Sequence, residues 1–302
     1  MSEKRLGAFC AFLLLFLAFF LTPVDLLPRD QADIRILHVN DFHGYAEPFR
    51  PFGSIMQEGG IAHLASRVKQ LRREKPSLLM AAGDMIHGDD WANRFQGASV
   101  FEVMNAMGFD VMVAGNHEFD FGPAVLKQRI GEANFPVLGA NVQGVPGLKP
   151  FVIKEVGGIK IGIIGVVTPE IVEYDQPEKI AGITFAPAAA TVSKFLTALK
   201  PQVDLMIVLS HLGYKADRKL AEAVPGIDVI VGGHSHTKLP EPVRIGGTII
   251  VHGYEYARML GVLDLTVKDG KATAYSGRLE AVDPGSLPAD PLILQIVKKY
   301  QN

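Results

Sequence analysis

Cysteine is almost missing from these 302 residues: Cys10 is the single one, and it lies in an apolar run near the N-terminus. The rest of the chain therefore cannot form disulfides. A core held by packing or by metal follows, and the count leaves the redox compartment open. Charge of one sign is also lacking. The 30 Lys and Arg nearly balance 32 Asp and Glu, for a net charge of -2, so neither a nucleic-acid polymer nor an acidic surface is indicated as a partner. No internal repeat or low-complexity segment occurs, which sets repeat architectures aside.

The one long apolar run is Leu6–Leu21, preceded by Lys4 and Arg5. At ~1.5 Å per residue a helix of about 16 residues reaches about 24 Å, short of a ~30 Å hydrocarbon core. A secretory signal is favoured, with an uncleaved anchor through residues 6–21 as the alternative. In both cases the basic flank stays inside and the body is exported, to a periplasmic or other extracytoplasmic location. Cys10 follows Phe9, where a lipidated cysteine would follow a small residue. Residues 1–31 are thus a leader or tether plus linker, and residues 32–302 are expected to form the working domain.

Hydrophobic residues make up 48% of the sequence, enough for a sizeable core. Strand and helix patterns alternate from Ala32 onward. Strand-like runs cover Ile34–Val39, Leu78–Ala82 and Val111–Ala114. Helical periodicity covers Ile61–Glu74, Ala98–Met107 and Pro123–Ala133. Gly157-Gly158 turns a hairpin, and after Ile227–Val231 the chain becomes strand-rich, with Asp269-Gly270 turning a second hairpin. Two packed sheets with outer helices are predicted, an α/β fold.

Five of the apolar runs end in residues that bind metals or move protons. Asp41-Phe42-His43 follows the first, Gly83-Asp84 the second and Gly115-Asn116-His117-Glu118-Phe119-Asp120 the third. Ser210-His211 and His234-Ser235-His236 follow two later ones. Polar groups at strand ends are placed for chemistry at a sheet's C-terminal edge. Asp41, His43, Asp84, Asn116, His211, His234 and His236 are seven oxygen and nitrogen donors with no sulfur. Such donors suit zinc, manganese or iron, and seven are too many for one tetrahedral ion. They fit two neighbouring ions sharing a carboxylate, an arrangement that activates water and clamps both oxygens of an in-line phosphoryl displacement. In extended chain, Asp41 and His43 would share one side, as would His234 and His236. His117 and Asp120 lie three apart, within reach on a helical turn.

The blocks Ile36–Gly44, Gly83-Asp84, Gly115–Asp120, Ser210–Gly213 and Gly232–Thr237 resemble, in order, the motifs of the calcineurin-like metallophosphoesterases, in their 5′-nucleotidase branch. Gly253-Tyr254-Glu255-Tyr256 to Leu265 resembles a later motif of that branch, with Ala257 where glycine is common. The resemblance implies a four-layer sandwich of two mostly mixed sheets flanked by helices. It implies one metal on Asp41, His43, Asp84 and His236, a second on Asp84, Asn116, His211 and His234, and Asp84 bridging. His117 would then serve phosphoryl oxygens or the leaving group, with Asp120 orienting it. The implied substrates are small phosphate esters such as nucleotides. In full-length members a C-terminal domain supplies the base-stacking aromatics, and here only Glu280–Asn302 follow the last strand, so weak base preference is expected.

Other readings share these ligands. A phosphodiesterase or a sulfur-ester hydrolase would differ around them, and a silent metal-binding module would have no need of the His117–Asp120 pair. Glu118 is expected to be solvated or to brace its loop, and His38 and His63 to be structural. His87 and His252 are candidates for supporting the site, and Trp91 and Phe95 for either a pocket rim or the core.

Overall fold

The structure is a computed structural model that describes residues 31–170 and 179–301. The leader or anchor expected over residues 1–30 lies outside the described residues. Among them, no helix is long and apolar enough to cross a membrane.

Two six-stranded mixed sheets form the centre. The first has the order β16 (Lys271–Ala281), β15 (Met259–Lys268), β1 (Gln31–Val39), β4 (Ser77–Ala81), β5 (Val111–Val113), β6 (Val137–Leu138). The second has the order β13 (Val243–Ile245), β14 (Thr248–His252), β12 (Val229–Gly232), β11 (Leu205–His211), β9 (Ile159–Val167), β8 (Phe151–Val156). Two-residue ribbons, β2 (Pro48–Phe49) with β3 (Glu58–Gly59) and β7 (Val142–Gln143) with β10 (Thr184–Phe185), complete the strands among the described residues.

Alternation along the strands builds the layers. Leu205, Ile207 and Leu209 of β11 join the core shared with the first sheet, while Met206 and Val208 join a second core. That second core is closed by Val192 and Leu196 of helix Ala188–Leu199 and Leu220 of helix Tyr214–Ala223. A strand covered on both faces reads as a continuous apolar run, as these do. Helix Ile61–Glu74 covers the outside of the first sheet, burying Ile61, Leu64, Val68 and Leu71, and carries Arg72 and Arg73 in its last turn, the charge that suits a helix C-terminus. The layering is helix, sheet, sheet, helix, as the resemblance implied.

Helix Pro291–Lys299 closes the chain. Asp290 caps it by accepting from Leu292 N and Ile293 N at 3.0 and 3.2 Å, and Pro291 fills the first turn. Trp91 and Phe95 meet this end of the chain: Trp91 Nε1 donates to Val297 O at 3.0 Å, and Phe95 packs edge-on to Tyr300. Trp91 belongs to the core, and Phe95 is half-buried against Tyr300.

The parallel strands β1, β4 and β5 of one sheet and β11 and β12 of the other all end in one place. The loops are stitched across that edge. Asp41 N donates to Gly83 O, His43 N to Asp84 O and Gly233 N to Ser210 O, at 3.0, 3.0 and 2.9 Å.

Candidate metal centre

Donor groups from both sheets converge at this edge in two clusters. In the first, Asp41, His43 and His236 bring one ligand atom each within 4.8 Å of the others. His43 Nε2 and His236 Nε2 are 3.2 Å apart, and His236 Nε2 is 3.4 Å from Asp41 Oδ1. In the second, Asp84, His211 and His234 do the same. Asn116 Oδ1 joins them, 3.2 Å from His211 Nε2 and 2.9 Å from His234 Nδ1. Asp84 links the two clusters: its Oδ2 is 3.0 Å from His211 Nε2 and 3.9 Å from His43 Nε2. All seven residues singled out in the sequence meet here.

The backbone reaches this arrangement differently from the extended pairs that alternate spacing suggested. Asp41 and His43 both have φ of 51°, Asp84 55°, His234 77° and His236 47°. Left-handed residues other than glycine are uncommon and cost roughly 1–2 kcal/mol. Five in one site is backbone strain held by the surrounding hydrogen bonds.

Three histidines are aimed by an acceptor behind the ring. His43 Nδ1 lies 2.7 Å from His87 O, His211 Nδ1 2.6 Å from Ala82 O, and His236 Nδ1 2.6 Å from Glu255 Oε2. Each contact holds the proton on Nδ1 and turns Nε2 inward. His234 is the exception, with Nδ1 inward on Asn116 and Nε2 3.2 Å from Glu170 Oε2. Glu255 lies within a block already picked out by resemblance, but its bond to His236 spans 19 residues and leaves no local signal.

Glu118 is fully buried and braces the site. Its carboxylate accepts from the backbone N–H groups of Asp84, Met85 and Gly115 at 2.9, 2.7 and 2.5 Å. Burial and the Asp84 charge push its pKa up to about 7 against the pull of those donors. Three carboxylates, Asp41, Asp84 and Glu118, are thus buried at one sheet edge. Uncompensated negative charge there is costly. Burial opposes charging of His211, but the charge and hydrogen bond of Asp84 outweigh it and raise the His211 pKa. Asp84 is lowered in return, against its own burial. Converging imidazole, carboxylate and amide donors around buried negative charge fit divalent cations.

His117 stands at the edge of the first cluster, its ring 5.1 Å from that of His43. Its Nδ1 is 2.6 Å from Asp120 Oδ2. Burial lowers its basicity, yet the Asp120 hydrogen bond and the Asp84 charge raise its pKa to about 9. His87, a candidate support, shares the same Asp120 oxygen at 2.6 Å.

The remaining histidines are structural. His252 Nε2 is 2.8 Å from Asp217 Oδ2, and Asp217 Oδ1 accepts from Ser210 Oγ at 2.5 Å, which fixes the strand end before His211. His63 Nδ1 lies 2.6 Å from Leu287 O. His38 is buried against Gly261, and burial lowers its pKa to about 3.

Residues 34–238 match the family model of calcineurin-like phosphoesterases. The chain belongs to that family. It is 31% identical to a 5′-nucleotidase of Bos taurus, over 89% of this chain and 52% of that protein. Among solved structures, a 5′-nucleotidase precursor from Thermus thermophilus superposes with a TM-score of 0.82 at 30% identity, covering 89% of this chain and 58% of that one. A sulfate thiohydrolase from Thermus thermophilus superposes with a TM-score of 0.82 at 21% identity, covering 89% and 60%, a likeness of fold alone. The chain spans about half the length of the 5′-nucleotidase relatives it matches.

Proposed function

We propose that the protein is an exported, two-metal phosphohydrolase acting on phosphate monoesters of the nucleotide type, with residues 32–302 as its catalytic domain. The observation that carries this reading is Asp84, whose carboxylate stands between two histidine clusters beside the His117–Asp120 pair. Asp41, His43, Asp84 and His236 would hold one cation, and Asp84, Asn116, His211 and His234 the other, with Asp84 shared. When bound, such a pair supplies Lewis acidity that activates water and offsets phosphoryl charge. Zinc, manganese and iron all suit the donor set.

The chain's own residues do the rest. Asp120 accepts from His117 Nδ1 and so presents Nε2 to the substrate. Burial lowers the basicity of His117, and the Asp120 hydrogen bond works against it, favouring a proton on the ring. That proton can bind a phosphoryl oxygen or pass from Nε2 to the departing alkoxide. Glu118 keeps Asp84 in place by holding the backbone on both sides of the Asp84–Gly115 contact. Similarity to 5′-nucleotidases supports nucleotides as the substrate class.

The test is turnover of p-nitrophenyl phosphate, AMP and bis-p-nitrophenyl phosphate, with added manganese and with chelator. Metal-dependent cleavage of the two monoesters well above the diester is expected. Preference for the diester would move the reading to a phosphodiesterase. Metal binding with no turnover of any ester would leave a silent metal-binding module. Mass spectrometry of the mature N-terminus from native cells tests export.

A further inference from the structure

A third set of donors converges at the mouth of the site, apart from the two clusters that share Asp84. Asp120 Oδ2 is 2.6 Å from His117 Nδ1 and also 2.6 Å from His87 Nδ1. The two imidazole rings are stacked, with centroids 5.4 Å apart and planes 22° apart. One atom each of His87, His117 and Asp120 lies within 4.8 Å of the others, and all three residues are half-buried. Phe121 backs the His87 ring edge-on at 5.3 Å. His87 is held by its loop: Glu118 grips Met85 N, and Asn93 exchanges hydrogen bonds with both backbone groups of Gly88.

Orienting His117 needs one acceptor, which Asp120 supplies. A second imidazole aimed at the same oxygen is surplus to that task. Two imidazole nitrogens and a carboxylate oxygen make up a donor set of catalytic zinc ions, which keep a fourth position open. With bonds of ~2.0–2.1 Å, tetrahedral ligands sit roughly 3.3 Å apart. The nitrogen–oxygen contacts at 2.6 Å would open by less than an ångström as the ion replaces the shared protons.

We propose that His87, His117 and Asp120 form a third metal site, taking a borderline-soft divalent cation such as zinc, and that its occupation switches the enzyme off. A cation on Nδ1 takes the place of the proton that His117 shares with Asp120. The displaced proton goes to solvent and the imidazolium is lost: Nε2–H can still donate a hydrogen bond, but giving up that proton would leave a metal-bound imidazolate, so His117 no longer serves as the acid. The site rests on its own geometry, and the switch rests on the role proposed for His117.

The experiment uses the full chain loaded with manganese and freed of excess. Zinc is titrated in by calorimetry and against a colorimetric chelator. Turnover of p-nitrophenyl phosphate is followed over the same range, relative to each protein's own zinc-free rate. The parent should bind one more zinc per chain than His87→Asn. It should lose at least tenfold in turnover over the range in which that zinc binds, and His87→Asn should not. His87→Gln carries the same comparison should the asparagine variant fold poorly. Equal zinc stoichiometry in the parent and both variants overturns the site. Extra zinc without inhibition, or inhibition that survives in both variants, overturns the switch. If the stoichiometry differs and no protein turns over any ester, the site stands and the proposed reaction falls.

Discussion

Asp41, His43, Asp84, His234 and His236 share a left-handed backbone that their sequence spacing did not reveal. That these side chains would converge was legible residue by residue, because each comes at or after the end of an apolar run that reads as a strand. Their conformation was not, because φ is set by contacts such as His234 N donating to Asp41 Oδ2 at 2.9 Å, across 193 residues. Proximity to the cluster also does not tell a ligand from a catalyst. His211 is fully buried with Nε2 on Asp84, whereas His117 is partly open and turned to Asp120. His211→Asn is therefore expected to lower metal content. Loaded with manganese alone, His117→Asn should keep the ions of the two clusters that share Asp84 and slow turnover by about 10²–10⁴-fold, the usual effect of losing an acid–base group. Metal analysis beside single-substrate kinetics separates them, and equal metal loss in both variants would contradict this division between ligand and catalyst.

Helices with clear periodicity were legible to the residue: Ile61–Glu74 and Ala98–Met107 stand as the pattern indicated, and a hairpin does turn at Gly157-Gly158. Strand ends were less so, since β11 runs to His211 and carries that donor within it. The loops depend on close approach. A Cβ on Gly115 would lie 2.1 Å from Asp84 Oδ1 and 2.8 Å from His211 Cε1. Gly115→Ala should therefore displace Asp84, cost roughly 1–3 kcal/mol as an overpacked core does, and weaken metal binding. Normal metal content with an unchanged unfolding midpoint would show that the loop yields freely. The pairing of the last hairpin with β1 was not legible at all. β15 joins β1 with Arg35 opposite Asp264, residues 229 apart in sequence. Buried Arg35 donates to Asp264 at 2.8 and 3.0 Å. Burial raises the Asp264 pKa, but the hydrogen bonds from Arg35 and Lys75 outweigh it and depress the value. A depressed carboxylate stabilises the fold above its unfolded pKa of about 3.9 and loses that contribution as pH falls through the folded value. Asp264→Asn should thus be less stable than the parent by about 1.5–3 kcal/mol at pH 7, the range for hydrogen bonds to charged groups. Denaturant titrations should show the gap closing below about pH 4, and a gap that is constant with pH would remove Asp264 ionisation as its cause.

The two sheets share an apolar core, yet at the site edge they meet through charge. Asp41, His43, Asp84 and Asn116 follow strands of the first sheet, while His211, His234 and His236 belong to the end of β11 or follow β12 in the second. Cations held by these residues would therefore join the sheets as well as serve the reaction. Without them, buried Asp41 and Asp84 are offset mainly by the raised basicity of His211 and by backbone donors. A ligand that binds only the folded chain adds RT ln(1 + [L]/Kd), about 2.7 kcal/mol at a hundred times Kd and about 4.1 at a thousand. At roughly 2–4 °C per kcal/mol for a chain of this size, saturation should raise the unfolding temperature by roughly 5–15 °C. Asp84→Asn removes the negative charge shared by both clusters, so its shift should be less than half that of the parent. Calorimetric scans in chelator and in saturating manganese or zinc test this directly. If the parent unfolds at the same temperature in both, the ions do not clamp the sheets. If Asp84→Asn keeps the full shift, its carboxylate is not what holds the two clusters together.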